Sequence, residues 1–155
     1  MFKQIAKYGV VVTLLAYLVA IAGAISYANN NQFMLVLMGL FFLIFSFFKV
    51  IHLVKFEKSF SRYDPIAKTI PGYGYLYPFL EITLGLLYLL NTQINIAAIM
   101  TIIILGATTI GVMRKLREGE IIECACLGVV FGIPLSTVTI FENLAMITMA
   151  VLLII

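Results

Sequence analysis

Residues 33–54 read FMLVLMGLFFLIFSFFKVIHLV, an apolar run whose only full charge is Lys49. A helix needs about 20 mostly apolar residues to cross a bilayer. In lipid the backbone must satisfy its own hydrogen bonds, so a run this long is a helix. Working outward gives four more such stretches, near 9–28, 73–90, 94–113 and 136–155. None alternates as barrel strands do. The expectation is an all-α, polytopic bundle of five transmembrane helices forming one domain over 1–155.

Composition agrees. Of the 155 residues 63% are hydrophobic and 11% charged, with mean hydropathy +1.14. Soluble domains run near about 45–50% apolar and about 25% charged. A chain this poor in charge cannot cover a water-facing surface, which argues against a soluble enzyme or a nucleic-acid binder. The first run, preceded by Lys3 and Lys7, is longer than the 7–15 apolar residues typical of a cleaved signal and is expected to be retained.

The loops set orientation. The turns Asn29 to Gln32 and Asn91 to Gln93 carry no charge. All ten basic residues lie in or beside the N-terminus, the second loop or the fourth loop. In a five-span chain these share one side, and Lys/Arg excess marks the cytoplasm. The N-terminus is therefore expected inside a bacterial inner membrane, and both long loops face the cytoplasm.

Ionisable groups inside spans are costly and usually functional. Lys49, His52, Glu81 and Glu142 all fall in the cytoplasmic half. Counting about 1.5 Å per residue puts Lys49 about 8 Å, Glu81 about 12 Å and Glu142 about 9 Å from that face. One polar pocket is expected to gather them, with Lys49 paired to Glu81 and with Asn143 beside Glu142. The alternative is that Lys49 and Glu81 serve only helix packing, and that Lys49 and His52 extend to the interface. In the second loop Asp64 is a candidate cap for the helix that follows, or part of a lid with Tyr63. The four tyrosines between Tyr63 and Pro78 read as an interfacial aromatic belt.

Cys124 and Cys126 are the only cysteines. Thiolates at this spacing chelate soft ions such as Cu(I) or Zn(II), or form a strained, easily reduced disulfide. A reducing cytoplasm disfavours the resting disulfide and favours metal or reduced-thiol chemistry. Gly128, Gly132 and Pro134 argue for a re-entrant or interfacial turn after the thiols, with Ser136 and Thr137 as caps of the last helix.

Phe47-Phe48-Lys49, Phe60, Tyr63-Asp64 and Pro78-Phe79-Leu80-Glu81-Ile82-Thr83-Leu84-Gly85 resemble the DoxX-like membrane family. Cys124-Ala125-Cys126-Leu127-Gly128, Pro134-Leu135 and Thr139-x-x-Glu142-Asn143 make the chain similar to its MauE branch, named for methylamine utilisation. The resemblance covers about Leu37 to Met149. It implies a four-helix core plus one N-terminal helix, and a redox-associated role in maturing a disulfide-rich partner. Similar proteins carry a heavy-metal-associated domain ahead of the membrane part. None is expected in the short stretch before Gly9, so a soluble metallochaperone is the corresponding partner; a thiol-redox protein is the other. Three readings follow: a soft-metal handler using Cys124 and Cys126, a thiol–disulfide factor, and a non-catalytic assembly subunit. No motif of a characterised enzyme class is present.

Overall fold

The computed structural model describes residues 2–29, 32–119 and 137–155. Every element among them is a helix: α1 (Phe2–Asn29), α2 (Phe33–Ile51), α3 (Leu53–Phe60), α4 (Pro65–Thr69), α5 (Tyr73–Leu89), α6 (Ile94–Arg117) and α7 (Thr137–Ile154). Cys124, Cys126, the turn expected after them and the cap expected at Ser136 lie outside the described residues.

Three helices are long and apolar enough to cross a membrane by length and composition: α1 through Val12–Asn29, α2 and α6. The other two expected spans are shorter. Helix α5 has 17 residues and carries Glu81 and Pro78, and the apolar part of α7 is Thr139–Ile154.

The second apolar run does not continue unbroken to Val54. Helix α2 stops at Ile51, because His52 leaves helical geometry (φ −115°, ψ 37°). Helix α3 restarts after it with an amphipathic pattern, burying Phe56 and Phe60 while Lys55 and Lys58 stay exposed. Residues four apart share a helix face, so these two phenylalanines form one apolar edge. Helix α6 outruns its expected end at Met113 by a turn. Arg114, Lys115 and Arg117 occupy that turn, where cations favour the negative end of the helix dipole.

Asp64 and Pro65 start α4. The Asp64 carboxylate accepts the N–H groups of Ile66 and Ala67, both at 2.9 Å, as an N-cap. Pro65 takes the first helical position, where an N–H is not needed. The turn between α5 and α6 puts Asn91 (φ 53°) and Gln93 (φ 50°) in the left-handed region, which asparagine tolerates better than most side chains.

Two seams hold the bundle. Helix α2 runs along α5, and α6 along α7. At the first, Gly39 and Gly85 face each other so closely that a Cβ on either would lie 3.0 Å from the other's carbonyl oxygen. At the α6 side, a Cβ on Gly111 would collide with the Tyr63 carbonyl, so this glycine seats the loop before α4 against the bundle. Helix α1 is an outrigger: Leu18 packs on Phe45 of α2, but much of α1 is exposed.

Candidate functional site

Lys49 sits in the last turn of α2, where the helix dipole favours a cation. Ser46 lies one turn earlier on the same face. Opposite them, Glu81 projects from the middle of α5. The Lys49 ammonium donates to both Glu81 oxygens, at 2.6 Å to Oε1, and Ser46 Oγ donates to Oε2 at 3.0 Å. Lys49 is 4% exposed and Glu81 3%. The pairing expected from their depths is formed.

Aromatic rings close over the ammonium. Its nitrogen lies 4.9 Å from the Tyr77 centroid and 5.6 Å from that of Phe56. Desolvated contacts of this kind contribute up to about 2 kcal/mol. Tyr77 stands one turn before Glu81 on α5, and its ring packs on Phe60 at 4.4 Å between centroids. The expected tyrosine belt is corrected here: Tyr63 and Tyr77 are buried at 4% and 2% and belong to this cluster. Tyr75 is exposed at 42%, as a belt residue would be. The α3 edge gives the two rings an aromatic surface to pack on, through Phe60.

Beyond the pair lies a cavity with about 20 Å³ open to the centre of a water, enough for about one molecule. Its polar lining comes from four helices: Lys49 of α2, Glu81 of α5, Thr108 of α6, and Thr139, Glu142 and Asn143 of α7. Asn143 Nδ2 donates to Thr109 Oγ1 at 3.2 Å, tying α7 to α6. His52 is not on the lining. Being three residues beyond Lys49 would give it the same face in an unbroken helix, but the break at His52 turns it away. Its Nδ1 is buried with no hydrogen-bond partner among the described residues.

Asp64 adjoins the cavity through Thr108, whose hydroxyl lies 3.0 Å from Asp64 Oδ2 and 3.0 Å from the Ile104 carbonyl. A hydroxyl has one proton. It can give it to an ionised Asp64, or take one from a protonated Asp64 and give its own to Ile104. Burial pushes the Asp64 carboxyl above its usual range, against the opposing pull of the Ala67 N–H, the Thr108 hydroxyl and the Ile66 N–H.

The cavity thus joins Lys49, Glu81, Glu142 and Asn143, with Asp64 one hydrogen bond behind. Sequence reasoning missed Ser46 and Thr108. Hydroxyls in apolar helices bond their own preceding turn by default, so only a partner across the bundle reveals them. Among the described residues no group of three or more His, Cys, Asp or Glu is arranged to hold a metal ion.

A family model described as methylamine utilisation protein MauE matches residues 30–155. Neither the curated proteins nor the solved structures give a match.

Proposed function

Because the chain belongs to the methylamine utilisation protein MauE family, we propose that it is a multi-pass protein of a bacterial inner membrane that passes thiol equivalents to a partner during that process. Cys124 and Cys126 are the working thiols. A thiolate of the pair attacks a disulfide of the partner, the second resolves the mixed disulfide, and the partner leaves as a dithiol. Two electrons and two protons pass from the cysteine pair to the partner. The cavity of Glu142, Glu81, Lys49 and Asn143 is a polar station of the bundle, with Glu142 the carboxylate that exchanges protons. Asp64 backs it through Thr108; His52 stands apart, at the α2–α3 junction.

The observation that carries this choice is the Lys49 ammonium on Glu81. It puts a positive charge on the lining of the cavity, and like charges at such range repel strongly in a low dielectric. A proton-exchanging pocket suits that charge pattern better than a second station for Cu(I). The soft-metal reading would use the cysteines alone, with a soluble metallochaperone as donor.

The topology proposed is five spans with the N-terminus cytoplasmic. The ten-of-ten basic bias supports it. Helices α5 and α7 are counted as spans despite lengths of about 26 and 27 Å, because the bilayer thins around short helices at modest cost.

Elemental analysis and thiol mass spectrometry of anaerobically purified protein, beside Cys124→Ser/Cys126→Ser, test the function. The thiol reading expects equal metal in both and, after mild oxidation, a reversible Cys124–Cys126 disulfide in the wild type. Stoichiometric metal lost in the double variant would instead establish the soft-metal reading. Equal metal and no disulfide would leave an assembly subunit.

A further inference from the structure

Basic side chains gather at one end of the bundle. Helix α2 ends there, α3 and α4 follow, and α6 finishes beside them, because the short turn after α5 sends α6 back toward the start of α5. Helix α4 packs on α6, where Gly111 admits the Tyr63 carbonyl. Two stretches far apart in the chain, 53–69 and 114–119, are thereby brought together. They hold seven basic and three acidic residues. Of the acids, Asp64 is buried and Glu118 is paired with Lys115. Lys55, Lys58, Arg62 and Lys68 of the first stretch and Arg114 and Arg117 of the second are exposed. Among the described residues none of these six forms an ion pair. The two stretches share one field: Lys115 first, and then Lys68 and Arg114, hold the Glu118 carboxyl below its usual range.

What meets this surface follows from its position. Apolar side chains are exposed beside the cations: Ile51 and Val54 where α2 passes into α3, Ile70 after α4, and Leu76 in the first turn of α5. Exposed Tyr75 stands with them, as interfacial tyrosines do. On a protein whose long helices are this apolar, such residues meet lipid tails, and the cations beside them stand at the level of the headgroups. Lysine and arginine suit that level, with the stem on apolar surface and the charge in water. The anion always present there is a lipid phosphate. A zwitterionic headgroup brings its own compensating cation, whereas an anionic phospholipid does not, so the unpaired excess selects the anionic class. We infer that Lys55, Lys58, Arg62, Lys68, Arg114 and Arg117 form one binding surface for the headgroups of anionic phospholipids in the protein's own bilayer. The surface rests on the helices lying in a membrane, and neither on the thiols nor on which leaflet this end faces.

The test uses the full chain in phosphatidylcholine vesicles carrying a trace of phosphatidylglycerol or phosphatidylcholine spin-labelled in the acyl chain. Electron spin resonance reads the fraction of each probe held at the protein. Phosphatidylglycerol is expected to associate about fivefold more strongly than phosphatidylcholine, the worth of about one cation per headgroup. Salt at about 1 M, which shortens the screening length to about 3 Å, should remove most of that preference. Lys55→Gln/Lys58→Gln/Arg62→Gln/Lys68→Gln and Arg114→Gln/Arg117→Gln should each lower it, and the six changes together should bring it within about twofold of parity. These positions are exposed and tolerate substitution; a monodisperse, helical variant is the one scored, and the salt response of the wild type needs no variant at all. Equal restriction of the two lipids by the wild type would overturn the surface, as would an anionic preference that survives 1 M salt or all six changes. A preference lost with one set and untouched by the other would deny that the two stretches act together. Inorganic phosphate that lowers the preference further than chloride of equal ionic strength would reassign the cations to a free anion.

Discussion

Glu81 and Asp64 are both carboxylates hidden from solvent, 3% and 1% exposed, and the protein satisfies them by opposite means. Glu81 meets a full positive charge and one hydroxyl. Among the described residues Asp64 meets neutral donors, two backbone N–H groups and the Thr108 hydroxyl. The first arrangement is strong but brittle, because removing either partner strands a charge in a low dielectric. The second is adaptable, because a carboxyl facing neutral dipoles can take up a proton and keep most of its hydrogen bonds.

The largest expected effect breaks the brittle side. Lys49→Met should destabilise by about 3–5 kcal/mol, the range for removing one member of a buried pair. Adding Glu81→Gln should restore part of that loss, since the stranded charge is gone. Denaturant unfolding in detergent measures both, and simple additivity of the two changes would dissolve the pair as an energetic unit.

The adaptable side should yield less. Asp64→Ala removes the cap of α4 and the bond to Thr108, with a loss of about 2 kcal/mol, the upper end for a helix cap. Thr108→Val removes one hydrogen bond and should lose about 1 kcal/mol. A Thr108→Val loss equal to that of Lys49→Met would erase the contrast.

A smaller effect tests the proton directly. The Asp64 carboxyl is raised above its ordinary 3.8 by burial. A raised folded value means that stabilisation from proton uptake is fully present below the unfolded value and is lost as pH rises through the folded one. The wild type should therefore gain stability relative to Asp64→Asn as pH falls from neutrality toward 3.8. Unfolding of the two proteins across that window reads the difference, and a flat line would place Asp64 among fixed charges. The smallest effect belongs to the exposed Lys115–Glu118 pair, 2.7 Å apart. Neighbouring Lys115 holds the Glu118 carboxyl below its usual range, yet Glu118→Gln should leave the unfolding midpoint unmoved, because solvent screens such pairs.

Much of this contrast was legible in the sequence. Apolar run lengths located the long helices, and depth counting put Lys49 in the same half as Glu81. The Asp64-Pro65 step announced a helix start. What stayed hidden depends on neighbours distant in the chain. Nothing local says that the helix breaks at His52, that Ser46 and Thr108 reach across the bundle, or that Tyr63 and Tyr77 turn inward onto Phe60. The inward tyrosines follow from how α3 packs against α5, and the two hydroxyl contacts from how α2 meets α5 and α6 meets Asp64. The role proposed for Cys124 and Cys126 rests on their spacing and on the sequence resemblance, since they lie outside the described residues.

The facing glycines of α2 and α5 have a mechanical consequence. Two backbones in direct contact cannot slide past one another, because the flanking Leu43 and Leu89 side chains block translation on either side. They can still pivot. Lys49 stands about 15 Å along the helix from Gly39, so a tilt of about 5° about that bearing would carry the ammonium about 1.3 Å. That displacement is enough to stretch the 2.6 Å contact with Glu81 Oε1 beyond hydrogen-bond range. The glycine pair is a fulcrum, and the charged end of α2 is the long arm of the lever.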